Sequence, residues 1–414
     1  MSAHTAVRFG PGYHRVIGAA GASAVGDGMR FAALPLLSAT LLHDAFQVAA
    51  VTAATTVPWL LFGLPAGACA DRFERSRLMV VADLLRALAL ITAVVLLACD
   101  RLTFWPLLAS AFVLGVGEVL FDCASFALLP GLVPSERLEA ANGRLFAVQT
   151  VGRDVLGHVL GGVLFVTGRA IPLLLDALSF LLSAALLAGV RGPRPERSTA
   201  GPRLWRDIRE GLAHVLSDPL LRSLTVSAGV LNAVSLGQIA VFVVLARDVL
   251  GLPDAAYGVL LAVGAAGGVA GSMAASRVTG ALGRVPALIG NLALTGVGGL
   301  LVAATDSVYV VAVGHCAAGF GLMVCNVVMV SLRQELVPDR LLGRATGVYR
   351  LLAWGTMPLG ALLFGRLSTS AGPRVAFAVG GAVTLVMCLP VAFTPLRDGR
   401  ITDDREIHEG APDE

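Results

Sequence analysis

Seven residues offer the chemistry of this chain: Asp27, Arg30, Glu118, Asp122, Arg153, Asp154 and His158. Each falls near the middle of a long apolar run. A charge at mid-bilayer costs on the order of 2.5–3.5 kcal/mol on insertion scales, so each one needs a reason. Asp27 and Arg30 lie one helical turn apart in Gly26-Asp27-Gly28-Met29-Arg30. Glu118 and Asp122 are spaced i,i+4, which places both carboxylates on one helix face. Arg153 and Asp154 point about 100° apart on a helix, so they need not pair with each other. The set holds four acids, two arginines and one histidine, which leaves at least one carboxylate without a fixed counter-charge. An unpaired carboxylate in low dielectric holds a proton more readily. It can take that proton from one side and release it to the other, as proton coupling requires. The plainer alternative is a closed ion-pair network that only ties helices together. Two carboxylates on one turn weigh against it, because they repel unless one is protonated. Asp176 and Arg350 are weaker candidates. Asp83 and Arg86 read as structural residues near a membrane surface; His315 and Gln238 are open to substrate contact but read more readily as satisfied core residues.

These residues must be positioned by membrane-spanning helices. Of the 414 residues, 56% are hydrophobic, enough for roughly eleven segments of ~20 residues. Only 14% are charged, against about 25% in ordinary soluble domains. That is too few to coat soluble domains of this size. A soluble enzyme, a disordered protein and a nucleic-acid binder are thereby excluded. Apolar runs predict twelve helices, over 14–40, 46–70, 78–98, 104–129, 141–167, 171–190, 220–246, 255–276, 285–304, 307–332, 345–367 and 374–394. The ~10-residue alternation of a membrane β-barrel is absent. The six cysteines have no CxxC spacing and read as small apolar packing residues. No signal-peptide pattern opens the chain, so the first apolar segment is expected to remain as a span.

All 31 basic residues are arginine. With the N-terminus inside, 22 of them fall in cytoplasmic segments, 5 at external ends and 4 within spans. The positive-inside rule therefore predicts a multi-pass protein of the cell membrane with both termini in the cytoplasm. Residues 191–219 form the longest polar stretch, expected as a linker followed by a short amphipathic helix on the inner leaflet. This divides the chain into a six-helix bundle over 1–190, the linker, a second bundle over 220–394, and a disordered acidic tail over 395–414.

The halves repeat each other. An offset of 204 residues carries Gly63 and Gly67 onto Gly267 and Gly271, and Leu132-Val133-Pro134 onto Leu336-Val337-Pro338. Leu138, Ala141 and Gly143 fall on Leu342, Ala345 and Gly347. Parallel repeats with a site between them at mid-depth describe a secondary transporter.

The stretch Gly67-Ala68-Cys69-Ala70-Asp71-Arg72-Phe73-Glu74-Arg75-Ser76-Arg77 resembles motif A of the major facilitator superfamily. Its surroundings, Pro58 to Arg86, resemble the macrolide-efflux and enterobactin-exporter branch, as does Ala127-Leu128-Leu129-Pro130-Gly131-Leu132-Val133-Pro134 with Ala141-Asn142-Gly143. The resemblance covers nearly the whole chain. It implies an all-α polytopic fold of twelve transmembrane helices in two six-helix parallel repeats. It also implies a cytoplasmic gate at Gly67, Asp71, Arg72, Arg75 and Arg77. There Gly67 allows close helix approach, and Asp71 caps a facing helix N-terminus near Ala345. The second half has Ala275 at the place of Asp71, so the latch is expected on one side only.

Two departures from family patterns stand out. Gly157-His158-Val159-Leu160-Gly161-Gly162 keeps the glycines of the antiporter motif but has His158 in place of its proline. Span 4 carries Glu118 and Asp122 where drug–proton antiporters often have an arginine, so their proton route cannot be carried over intact. The resulting expectation is efflux of a hydrophobic or amphipathic small molecule in exchange for protons, by alternating access. Scarce aromatics (6%) suggest a smooth apolar cavity. Rival readings are a siderophore exporter or proton-coupled importer of the same fold, and less so a transport-inactive sensor or assembly subunit. The expected partners are a small-molecule substrate, protons and membrane lipid, with no nucleic acid, no cofactor and no metal. A monomer is compatible with the sequence, which does not determine the oligomeric state. With no P-loop and no nucleophile–base spacing, the chain is not expected to be an enzyme.

Overall fold

The computed structural model describes residues 10–129, 132–134, 138–190, 209, 212–213, 215–337, 348–349 and 351–392. Each of the twelve expected spans is met by a helix. The first six are α1 (Pro11–Leu41), α2 (Ala45–Arg72), α3 (Arg75–Ala98), α4 (Phe104–Leu128), α5 and α6 (Ile171–Ala188). Helix α5 runs Leu138–Thr150, widens into a π-helical segment at Val151–Gly157, and resumes over His158–Thr167. The second six are α7 (Pro219–Val244, with a π-helical end at Leu245–Val249), α8 (Asp254–Leu282), α9 (Arg284–Ala304), α10 (Val308–Leu336), α11 (Met357–Ala371, preceded by helical residues 351–355) and α12 (Pro373–Val386, then Cys388–Ala392). Among the described residues, nine helices are long and apolar enough to cross a membrane. The other three are α1, which carries Asp27 and Arg30, α5, which carries Arg153 and Asp154, and α11. Large apolar side chains cover the outer surface, with Leu88 61%, Val166 62% and Leu363 68% exposed. Such a surface is compatible with lipid and not with water. Most of the linker and all of the acidic tail lie outside the described residues; residues 209, 212–213 and 215–217 of the linker are helical.

The same helix pairings build both halves. In the first, α1 packs on α5 and α6, α3 on α4 and α6, and α2 on α4. In the second, α7 packs on α11 and α12, α9 on α10 and α12, and α8 on α10. Two further pairs, α2 with α11 and α5 with α8, join the halves and are themselves repeat equivalents.

The repeat register differs from a single offset. Gly115 on α4 approaches the Thr55 carbonyl on α2, and Gly319 on α10 approaches the Gly264 carbonyl on α8. An offset of 204 takes Gly115 to Gly319 but takes Thr55 to Val259 rather than Gly264. The matches of Gly63 and Gly67 with Gly267 and Gly271 are therefore not structural equivalences. The position equivalent to Asp71 moves from Ala275 to Gly280, which is still not an acid. Turn and helix lengths drift between copies while the packing partners stay, because packing is what buries the apolar faces.

Two glycine contacts set the central geometry. Gly28 on α1 and Gly157 on α5 meet backbone to backbone: a Cβ on Gly28 would lie 2.8 Å from the Gly157 Cα. Gly162 on α5 meets Gly258 on α8 across the halves, where a Cβ on either would lie 2.9 Å from the other Cα. Small residues permit this approach in membranes, where dispersion rather than the hydrophobic effect holds helices together.

Candidate functional site

The Gly28 contact brings the π-helical segment of α5 against the charged turn of α1. Such segments insert an extra residue into the helical ladder and occur frequently at functional sites. Here the segment contains Arg153 and Asp154.

Arg30 lies at the centre of a buried ion-pair network. It contacts Asp27 Oδ1 at 2.7 Å, Asp176 Oδ2 at 3.1 Å and Glu118 Oε2 at 3.9 Å. Glu118 is also 4.0 Å from Arg153. Arg86 pairs with Asp83 and reaches Asp27 Oδ2 at 3.6 Å. Its guanidinium sits between the rings of Phe121 and Phe180, 4.7 and 4.1 Å from their centroids. Aromatic faces attract a desolvated cation electrostatically, which helps hold this one far from water. Ser23 donates to Asp27 at 3.3 Å.

Arg86 and Asp83 were expected near a membrane surface. Both are instead buried, 1% and 0% exposed, inside this network. Asp176, a weaker candidate from sequence, is also 0% exposed and holds Arg30 directly. The network thus contains a third arginine and two further acids. Asp27, Asp83, Glu118, Asp122, Asp154 and Asp176 outnumber Arg30, Arg86 and Arg153, so an excess of carboxylate persists. Asp122 lines a small polar cleft with Asp27, Arg86, Glu118 and Arg153, but it makes no ion pair among the described residues. Asp154 likewise makes none and faces open space.

Two cavities adjoin this network. One, of about 220 Å³, is bounded by the charged Asp27, Arg30, Glu118 and Arg153 together with Thr55 and Trp59. The other, of about 340 Å³, lies toward the second half and is lined mainly by α7, α8, α10 and α12. They share Phe31, Asp154, His158 and Ile239 as a common wall. His158 is 6% exposed and its Nδ1 has no hydrogen-bond partner among the described residues. Gln238 and His315, which sequence placed in the core, line the larger cavity. So do Phe31, Phe146 and Phe377, which add three aromatic rings to the mostly apolar wall that was expected. Sequence carried one usable signal for this: His315 is a polar ring at mid-span.

Contacts between the halves gather at the end of the bundle bearing the α1–α2, α7–α8 and α11–α12 turns. Arg247 on α7 donates to Leu36 O and Thr40 Oγ1 of α1 and pairs with Asp254 at 3.3 Å. Thr369 on α11 bonds Asp44 at 2.5 Å and accepts from Phe46 N at 3.0 Å. Near the opposite end, Arg77 pairs with Glu74 at 2.6 Å and is 82% exposed along its side chain. Arg75 is partly buried. The side chains of Gly67, Asp71 and Arg72, with Ala345 and Arg350, lie outside the described residues.

Two six-helix repeats joined through α2–α11 and α5–α8, with cavities between them, define a major facilitator transporter, not an enzyme. The family follows from residues 11–409, which match the model described as transmembrane secretion effector; the chain belongs to that family. It is 25% identical over 390 residues to the multidrug efflux pump Tap of Mycolicibacterium fortuitum, covering 92% of this chain and 95% of that one. It is 23% identical to macrolide efflux protein A of Streptococcus pyogenes, over 84% of this chain and 86% of that one. It is 26% identical to the enterobactin exporter EntS of Citrobacter koseri, over 97% and 96%. Among solved structures, the nucleoside transporter NupG shares the fold at TM-score 0.76 and 10% identity, covering 92% and 98% of the two chains. A bacterial homologue of the iron transporter ferroportin, in an inward-facing state, does so at 0.74 and 18%, covering 92% and 99%.

Proposed function

We propose that this transporter exports a hydrophobic or amphipathic, preferentially cationic, small molecule in exchange for external protons. The observation that carries the reading is the wall shared by the two cavities. Asp154 and His158 touch both the charged compartment and the aromatic one. A substrate in the larger cavity and a proton arriving through the smaller one would meet at Asp154. Asp27, Arg30, Glu118 and Arg153 set the field there, and Asp122 and Asp154 are the carboxylates that change protonation. Binding of a cation and binding of a proton then oppose each other, as exchange requires. One charge crossing 100 mV is worth about 2.3 kcal/mol, so each proton sustains a gradient of roughly fifty-fold.

The halves 1–190 and 220–394 rock against each other around this site. The polar loops, rich in arginine, lie in the cytoplasm with both termini, in the cell membrane. The Arg247 and Thr369 contacts then close the external side. Gly67, Asp71, Arg72, Arg75 and Arg77 form the opposing cytoplasmic latch. The names of the efflux relatives support export over import.

Everted membrane vesicles containing the protein, energised to an acidic interior, test this reading. Macrolides, cationic dyes and siderophores are added in turn while the pH gradient is followed. Dissipation of the gradient by one chemical class is the expected result. An intact gradient across the panel, with the protein confirmed in the membrane, would overturn proton exchange of these compounds.

A further inference from the structure

The larger cavity has an aromatic architecture that the repeat did not have to provide. His158 on α5 lies against Phe31 on α1, centroids 5.0 Å apart and planes tilted by 30°. Across the cavity, His315 on α10 stacks with Phe242 on α7, at 4.8 Å and 25°. Phe242 in turn packs against Phe377, at 5.8 Å. Both histidines, Phe31 and Phe377 face the cavity. The two imidazole–phenyl pairs thus come from opposite halves and flank one space of about 340 Å³. Only 6% of the chain is aromatic, so their gathering here is a local feature.

His315 is held as well as placed. Phe242 covers one face of its ring, and Gly264 on α8 leaves the room that its Cδ2–Nε2 edge occupies. A Cβ at Gly264 would overlap that edge. His315 makes no hydrogen bond among the described residues, so its position rests on the stack and on this glycine.

We infer that the cavity between His158 and His315 is a stacking site for a planar aromatic cation, its ring system held by the two imidazole–phenyl pairs and its charge directed toward Asp154. Aromatic rings prefer such offset stacks at centroid distances of 4.5–7 Å, and an aliphatic chain of equal area gains nothing from them. The volume lies near the small end of drug-sized pockets, which suits a fused-ring cation better than a large aliphatic macrocycle. This inference rests on the cavity being the substrate site. It narrows the substrate class from amphipathic compounds in general to flat aromatic cations.

The test is equilibrium binding to the purified full-length protein in detergent, with no proton gradient. Ethidium, a planar aromatic cation, is read by its fluorescence. Dodecyltrimethylammonium, with the same charge and no ring, is read by displacement. Ethidium is expected to bind about tenfold more tightly than the ammonium. His315→Leu should weaken ethidium roughly three- to tenfold and leave the ammonium unchanged. His315→Phe, which restores a ring, should recover most of the loss. Gly264→Ala, which displaces the ring without removing it, should resemble His315→Leu. Equal affinity for the two ligands, or ethidium binding unaltered in both His315→Leu and Gly264→Ala, would overturn the inference. Because binding is measured without transport, a failure of proton exchange would leave this result standing. A failure here would leave exchange intact with a different substrate class.

Discussion

Arg247 of the second half donates to the Thr40 hydroxyl of the first at 2.8 Å, across an interface that must open if the site is to reach the other side. The same guanidinium also holds the Leu36 carbonyl at 3.2 Å. One side chain therefore ties α7 to the end of α1, beside the turn where α7 becomes π-helical. If the halves rock as proposed, the contact is made only while this end of the bundle is closed.

Arg247→Ala should favour opening at that end. Hydrogen bonds to a charged group contribute about 1.5–3 kcal/mol when well ordered. This one is partly exposed, so about 1–2 kcal/mol is expected, a population shift of roughly five- to thirtyfold. Spin labels at Arg101→Cys and Ser307→Cys, both exposed in turns at that end, would report it as growth of a longer interlabel distance. An unchanged distance distribution would remove Arg247 from the seal.

The acids should separate into two groups. Asp27 holds both Arg30 and Arg86, so Asp27→Asn strips two buried cations of a partner. Breaking a buried pair costs about 3–5 kcal/mol. Thermal unfolding in detergent should show a clear loss of stability. Asp122→Asn removes no ion pair and should unfold close to wild type.

Asp154→Asn should leave ligand binding measurable while abolishing substrate-dependent loss of the pH gradient in everted vesicles. Asp122→Asn should weaken the same signal. Proton-driven efflux that survived both substitutions would disprove the assignment of the coupling carboxylates.

The two central glycines should fail differently. Gly157→Ala forces α1 and α5 apart within one half, beside the Arg30 network, and should destabilise the fold by about 1–3 kcal/mol, as overpacking does. Gly162→Ala faces Gly258 across the halves. It should leave each half folded and bias the protein away from the closed arrangement, seen with the same pair of spin labels. A large stability loss in Gly162→Ala would show that this contact belongs to the static core.

Much of the architecture was legible in the sequence because its causes are local. Apolar runs long enough to cross a bilayer, broken by short polar turns, placed the helices to within a few residues. Asp27, Arg30, Glu118, Asp122, Arg153, Asp154 and His158 were recognisable because a charge or polar ring in a span is expensive wherever the helix ends up. Their convergence around α1, α4 and α5 is what the tertiary structure displays. The double repeat was also readable, though not in one register, since α8 is shifted relative to α10 by differences in turn and helix length. What only the tertiary structure decided is which groups meet. Arg30 and Asp176 are 146 positions apart, and no periodicity relates them. Arg86 reads from sequence as a structural residue near the membrane surface, and what holds it at depth, Phe121 of α4 and Phe180 of α6 closing over it, comes from other helices. The pairing of rings escaped notice for the same reason: Phe31, His158, Phe242 and His315 come from four helices, and hydropathy reads Phe31 and Phe242 as ordinary core. Periodicity specifies the face a residue takes, whereas the partner it meets depends on the packing of helices distant in sequence.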